Sequence, residues 1–427
     1  MKIQMTWMAS FIAGGLLASA ACGASLSPEL EQQAHAAMNR GAAWLAAQQQ
    51  EGGIWGMPEA PAMTALALWG LQVTQPETYA DAIRRGTEFV ISNAQEDGGI
   101  WKKPAPGQRG GGLANYNTAV SLNALYALHR PELTPLLQRA RRFLAGTQYR
   151  SGAVRGGIGY DPNQPREYAD LSNSAMVYDA MRATQDLEDL RAEGDPKADL
   201  DWSAVQDFLA QVQNLPSVNS NAWCSTEEDD RGGFVYTPGA GPARGPGAGG
   251  PGAGGPGAGR PGMGGPGTGG PGAGRPGMGG PGKPPSPDAP ATSPAAEQKI
   301  TLRSYGSMTY SGLLSLVYAN VDKEDPRVKA AQDWAAKHWT LDENPGQGPE
   351  GLYYFYLILT KCLDAFGDDL ITLPDGTQVA WREAVIRKIL SLQTPEGFWV
   401  NTSNRWWEAD PCLVTSYTLL ALDRALP

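Results

Sequence analysis

Histidine and cysteine are scarce in this chain, with three His and four Cys among 427 residues. So few thiols exclude a disulfide-framework protein. So few imidazoles leave no basis for Ser-His-Asp catalysis, and no Gly-x-Ser-x-Gly elbow is present. A basic footprint is missing as well: 34 Lys and Arg stand against 44 Asp and Glu, a net charge of -10. Phosphate backbones require the opposite sign, which excludes nucleic acid as a general partner. After residue 21 no apolar run approaches the roughly 20 residues of a membrane span, so no transmembrane span is expected. No phosphate-cradling Gly-rich loop occurs, and neither a cofactor nor a metal is expected.

The apolar run that does occur lies at the start. Met1-Lys2 is a short basic opening, residues 5–21 are apolar or small, and Ala18-Ser19-Ala20-Ala21 suits cleavage after Ala20. Residues 1–20 therefore read as a secretory signal, and the protein as exported, periplasmic or secreted. Lipidation at Cys22 competes with this reading, although Ser19 stands where Leu is usual. A second biased segment covers 237–298, almost wholly Gly, Pro and Ala with a five-residue period. Collagen needs Gly at every third position, so the period excludes it. The segment cannot bury enough apolar surface to offset ordering, and a disordered insertion within the fourth repeat is expected.

Elsewhere glycine recurs in one turn. It reads Gly52-Gly53-Ile54-Trp55, Gly98-Gly99-Ile100-Trp101, Gly156-Gly157-Ile158-Gly159-Tyr160 and Gly232-Gly233-Phe234. A degenerate fifth is Pro349-Glu350-Gly351-Leu352-Tyr353, and a sixth is Glu396-Gly397-Phe398-Trp399. Such recurrence means stacked units, none able to bury its apolar face alone. Before the turns, residues 36–50, 81–95, 135–148, 202–213, 326–339 and 380–393 carry the period of half-buried helices. In the last, Val385, Ile386, Ile389 and Leu392 line one side, and Arg382, Glu383, Arg387 and Lys388 the other. After the turns, residues 63–69, 118–128, 172–181, 310–318, 354–363 and 413–422 are apolar nearly all round, the mark of helices buried on every side.

Six half-exposed helices alternating with six buried ones predict an all-α fold. Its form is an α/α toroid of six helical hairpins, an inner and an outer ring of six helices, within one domain spanning 28–427. Asp170, Ser307 and Asp410 stand at N-cap positions. His129, Arg130, Arg182 and Arg424 suit the negative ends of the inner helices.

The first repeat, Arg40-Gly41-Ala42-Ala43-Trp44-Leu45-Ala46-Ala47-Gln48-Gln49 through Gly53-Ile54-Trp55, resembles the glutamine-tryptophan motif of squalene and oxidosqualene cyclases. Phe143-Leu144 with Gln148, Phe208-Leu209 with Gln213, and Ile389-Leu390 with Gln393 and Trp399 repeat it. The chain is thus similar to the prenyltransferase and squalene-oxidase repeat superfamily, which implies the α/α toroid. That scaffold carries cyclases, protein prenyltransferases and thioester domains, so the resemblance speaks to fold more than to activity.

The chemistries of that superfamily find little support in the residues. The Asp-x-Asp-Asp acid of the cyclases is absent; Glu227-Glu228-Asp229-Asp230 comes nearest and reads as a solvated loop. Asp410-Pro411-Cys412 has the spacing of part of a zinc set, but His35, His129 and His338 fall away from the inner helix starts. No Cys-Gly-Glu-Gln thioester stretch occurs.

Parallel inner helices bring their N-termini to one mouth. Tyr116, Asn117, Ser172, Asn173, Tyr310, Tyr353 and Tyr354 are the candidate ligand-binding residues there, and Asp170 and Asp410 the candidate acids. Trp69, Trp223, Trp406 and Trp407 are candidates for aromatic walls. Six positive helix ends suit an anionic or polar ligand head. The plainer alternative is that both Asp residues are only caps and that the tyrosines are packing.

The first reading is a ligand-binding or scaffolding protein of the cell envelope, with a hydrophobic or polar-headed small ligand or an envelope protein as partner. The alternative is a terpene cyclase-like enzyme acting on an isoprenoid or other hydrophobic substrate, with Asp170 or Asp410 as its acid. A carbohydrate-active enzyme is the third. Carboxylate placement discriminates: paired acids about 5–10 Å apart mark glycosidic chemistry. One acid beside an aromatic cavity marks cyclisation, and capped acids alone mark binding.

Overall fold

The structure, a computed structural model, describes residues 26–104, 112–162, 167–239 and 302–427. The expected signal at 1–20, Cys22 and all but the first three residues of the 237–298 segment lie outside these residues. The described residues belong to one compact unit.

Twelve α-helices are found among the described residues. The six that sequence marked as half-buried are α1 (Pro28–Ala47), α3 (Ala80–Ser92), α5 (Thr134–Gly146), α7 (Trp202–Val212), α9 (Pro326–Lys337) and α11 (Trp381–Ser391). The six marked as buried are α2 (Pro61–Thr74), α4 (Ala114–Tyr126), α6 (Leu171–Ala183), α8 (Gly306–Tyr318), α10 (Leu352–Phe366) and α12 (Pro411–Ala425). The buried set packs in cyclic order, α2 on α4, then α6, α8, α10 and α12, and α12 returns to α2. That last contact closes the ring. In α3 only Ala82, Ile83, Gly86, Thr87 and Val90 are buried, while in α4 every residue except Tyr116 and Tyr126 is. A stripe and a full circumference are what outer and inner positions require.

The repeated turn is built from three contacts. First, a glycine at positive φ presses on the next outer helix: Gly53 on Arg85, Gly98 on Arg139, Gly156 on Ala204, Gly232 on Ala330 and Gly397 on Arg40. A Cβ at Gly156 would overlap the Ala204 carbonyl, so only glycine fits there. Second, the glutamine ending the outer helix donates both to its own turn and to the next outer helix or its cap. Gln49 reaches Gly53 and Ala82, Gln148 reaches Gly156 and Asp201, Gln213 reaches Gly232 and Arg327, and Gln393 reaches Gly397 and Ala37. Third, a hydroxyl on the inner helix accepts the turn's buried N–H: Thr64 from Trp55, Thr118 from Ile100, Ser174 from Ile158, Thr309 from Phe234 and Thr415 from Trp399.

Four details differ from the sequence reading. Gly53, not Gly52, is the equivalent of Gly98, so Trp55 aligns with Ile100 and not with Trp101. Ser307 lies inside α8 and is not its cap; Asn344 Oδ1 accepts from the Ser307 N–H at 2.9 Å. Asp230 of the acidic loop is buried, not solvated, and accepts from Ser225 Oγ, Ser304 N and Arg303 Nε. A hairpin of β1 (Leu370–Thr372) and β2 (Gln378–Ala380) precedes α11. Among the described residues no helix is long and apolar enough to cross a membrane.

Away from the mouth, a buried network ties four inner helices together. Asp179 on α6 accepts from Lys361 Nζ on α10 at 2.6 Å, Tyr318 OH on α8 at 2.6 Å and Asn123 Nδ2 on α4 at 2.8 Å. Burial alone would raise the Asp179 pKa, but Lys361 and Tyr318 outweigh it and hold the carboxyl below its ordinary range. The Lys361 ammonium also sits 5.5 Å from the centroid of Trp69 on α2.

Candidate functional site

At the N-terminal ends of the inner helices lies a cavity of about 120 Å³, open on one side. Its wall is rich in aromatic rings: Tyr116, Tyr160, Tyr236, Tyr305, Tyr354, Tyr417, Trp406 and Trp407, with Met63, Met308 and Leu413 among the others. The hydroxyls largely satisfy one another. Tyr160 OH meets Tyr236 OH at 2.5 Å, Tyr116 OH meets Tyr417 OH at 3.2 Å, and Ser172 Oγ meets Tyr354 OH at 3.3 Å. Burial raises the pKa of Tyr116, Tyr160, Tyr236 and Tyr354 above the usual tyrosine value, so these rings stay neutral.

The helix ends do not offer the anion site that six positive dipoles suggested. Each already holds an acceptor from the chain itself. Asn117 Oδ1 takes Ala62 N of α2, Asp161 Oδ1 takes Ala114 N of α4, and Asp170 caps its own α6. Asn344 serves α8, Glu408 accepts from Tyr353 N and Tyr354 N of α10, and Asp410 caps α12. With these donors engaged, the described lining offers chiefly ring faces and apolar side chains, with Asn117, Ser172, Ser307 and Glu408 among them.

The two candidate acids differ. Asp410 is partly exposed, and its Oδ1 accepts from Cys412 N at 2.8 Å and Leu413 N at 3.3 Å, the bonds of an N-cap. Asp170 is fully buried. Its Oδ1 accepts from Asn173 N at 2.7 Å, but Oδ2 makes no well-formed hydrogen bond among the described residues. Burial is the largest influence on this carboxyl and pushes its pKa up to about 7. The Asn173 N–H, the nearby Tyr236 hydroxyl and the Ser172 N–H pull weakly the other way. Asp170 therefore stands behind the Tyr160–Tyr236 pair, largely protonated below neutrality.

Of the ligand-binding candidates, Tyr116, Asn117, Ser172 and Tyr354 line the cavity. Asn173, Tyr310 and Tyr353 do not. Asn173 turns back to the Ile158 and Gly159 carbonyls, Tyr310 packs edge-on to Phe355, and the Tyr353 ring packs on Tyr356. Each faces a neighbouring segment, since a helix gives the cavity one side only. Trp406 and Trp407 are wall residues as expected, whereas Trp69 and Trp223 are not part of this wall. Among the described residues no three His, Cys, Asp or Glu side chains gather as a metal set.

Tyr160, Tyr236, Tyr305 and Glu408 were not anticipated. A signal existed for two of them: Tyr160 and Tyr236 each stand four residues after the left-handed glycine, Gly156 or Gly232, and so share a register. Strain marks the same rim. Leu113, Trp406 and Trp407 have φ of 51°, 53° and 62°, and all three line the cavity. Left-handed backbone at bulky residues costs on the order of 1–3 kcal/mol each and persists only where surroundings enforce it.

No family model matches the chain, and no curated protein sequence matches it. Solved structures of similar chain path exist. A variant of the type II terpene cyclase MstE from Scytonema in complex with merosterolic acid A shares 15% identity at TM-score 0.49, covering 94% of this chain and 99% of its own. A second MstE variant, in complex with geranylgeranyl dihydroxybenzoate, shares 13% identity at TM-score 0.48 over 94% and 99%. A protein from Actinoplanes shares 14% identity at TM-score 0.46, over 92% and 99%. At such identities and TM-scores the likeness carries no inference about activity.

Proposed function

We propose that the protein is an acid-initiated enzyme that protonates a carbon–carbon double bond of a hydrophobic, isoprenoid-type substrate. One observation carries the reading: a fully buried Asp170, whose carboxyl burial pushes up to about 7, adjoins the tyrosine pair on the wall of an aromatic cavity. In the proposed step, the Asp170 carboxyl gives its proton to the Tyr236 oxygen as Tyr236 O–H gives its own to the alkene carbon. A carbocation forms at the more substituted carbon, and Asp170 is left as a carboxylate accepting from Asn173 N and Tyr236 O–H. Ring faces favour the cation, by roughly 2 kcal/mol or more each when desolvated. The low polarity that raises the Asp170 pKa also makes its proton available near neutral pH.

Size limits the substrate. The enclosed volume of about 120 Å³ is below the roughly 300 Å³ at which ordinary ligand pockets begin. In this reading the alkene end of a linear chain enters while the remainder lies in the open mouth. A purely binding role would be better supported had every acid been a satisfied cap. Asp410 caps its helix at a partly exposed position, whereas Asp170 is fully buried and its Oδ2 makes no well-formed hydrogen bond among the described residues. Export, suggested by residues 1–20, belongs to the same proposal.

The test is turnover of linear polyprenyl alcohols of ten to twenty carbons, followed by gas chromatography with mass detection. Wild type should convert at least one, Asp170→Asn should lose at least about a hundredfold in rate, and Tyr236→Phe should lose a similar amount. Conversion undiminished in Asp170→Asn would refute the assignment.

A further inference from the structure

A second buried carboxyl, Glu408, belongs to the cavity wall; burial raises its pKa above the ordinary range, while hydrogen bonds from Tyr354 N, the Asn401 side chain, Tyr353 N and Leu352 N pull it back. Glu408 is 1% exposed and is the one carboxylate among the described residues lining the cavity. Its Oε2 accepts from Asn401 Nδ2 at 2.6 Å and Tyr353 N at 3.3 Å, and Oε1 from Tyr354 N at 2.8 Å. Two of these donors are backbone N–H groups at the positive end of α10, which favours a negative charge. The Leu352 N–H also helps to hold the carboxylate, and two carboxylate oxygens together offer about four acceptor sites. Tyr354 links the two acids: its backbone N–H binds Glu408, while its hydroxyl meets Ser172, two residues from Asp170.

We propose that Glu408 is the catalytic base that ends the reaction, so that the product leaves as an alkene. The inference rests on the acid-initiated reading of this cavity. A carbocation in the cavity must lose a proton or gain a nucleophile. Of the other wall residues, the tyrosines are neutral and the Asn117 carbonyl oxygen already binds Ala62 N. In the terminating step the C–H bond next to the cationic carbon breaks, its electron pair becomes the new double bond, and the proton joins Glu408 Oε1. One proton has left Asp170 and one has arrived at Glu408. Exchange with solvent through the mouth restores both, with no oxidant or co-substrate.

A structural role alone, as acceptor for the start of α10, predicts something else when Glu408 changes: lower stability without a change in product. Glu408→Gln keeps an oxygen for the α10 N–H groups and removes the base. With geranylgeraniol as the probe and the full chain as the enzyme, wild type should give chiefly alkene product. Glu408→Gln should shift the ratio of hydroxylated to alkene product at least tenfold toward the hydroxylated form, as water captures the cation. Should Glu408→Gln not fold, Glu408→Asp serves instead; its retracted carboxylate should raise the hydroxylated fraction part of the way. An unchanged product ratio in a folded variant would overturn the assignment of Glu408 while leaving acid initiation intact. Wild type inert toward geranylgeraniol and its shorter homologues would overturn the initiation reading, and this inference with it.

Discussion

Gln393 donates its Nε2 to the carbonyl of Ala37 at 2.8 Å, joining the last repeat to the first across 356 positions of sequence. The same nitrogen donates to Gly397 O at 2.7 Å, so one amide holds its own turn and closes the ring. Replacing Gln393 with Ala should remove both of these bonds, while Ala37 O keeps its place in the α1 hydrogen-bond ladder. The expected loss is about 1–3 kcal/mol, read as a lower urea midpoint, with proteolysis near α1 accelerating in parallel. Gln95, which bonds only within its own turn, should cost less when replaced.

The repeat was legible because its parts are short-range and chemically narrow. A glutamine, a glycine that no other residue can replace and an alternation of amphipathic and apolar helices leave marks that survive in one sequence. The mouth left fewer marks. Tyr116, Asn117, Ser172 and Tyr354 were within reach because inner-helix starts are easy to locate. Glu408 and Asn344 were not, because each serves a helix earlier in the chain from an irregular segment whose path no periodicity describes. Asp170 and Asp410 looked alike in sequence and both cap a helix; what separates them is the full burial of Asp170.

Gly156 and Gly194 form a controlled pair. Both have φ near 90°, but a Cβ at Gly156 overlaps Ala204 while one at Gly194 meets nothing within 4 Å. Gly194→Ala should cost about 1 kcal/mol for conformation alone. Gly156→Ala should cost several kcal/mol more, or prevent folding, because backbone has to move. Thermal melts of the two variants test this.

Lys361→Met should destabilise by about 3–5 kcal/mol, since it strands the Asp179 carboxylate among Tyr318 and Asn123. Asp179→Asn combined with Lys361→Met should recover part of that loss. A double-mutant cycle in urea measures the coupling.

Asp170 makes stability depend on pH in a stated direction. Its pKa is about 7 in the fold against an ordinary 3.8, so the folded state binds a proton that the unfolded state releases. Its contribution is therefore most favourable below pH 4, declines as pH rises toward 7, and is flat above it. At roughly 1.4 kcal/mol for each pH unit between those two values, the decline amounts to a few kcal/mol. Asp170→Asn keeps the cap, so the difference between wild type and variant should follow this curve, with the variant the more stable at pH 8. A difference independent of pH would place Asp170 as an ordinary ionised cap.

The most direct test of acid initiation is isotopic. Wild type, incubated with a polyprenyl alcohol that it converts, is assayed in D2O and the product mass is compared with that made in H2O. Protonation of the alkene by Asp170 through Tyr236 predicts one solvent deuteron bound to carbon in each product molecule, and no product from Asp170→Asn. Product formed without deuterium on carbon, or formed equally by Asp170→Asn, would contradict the account.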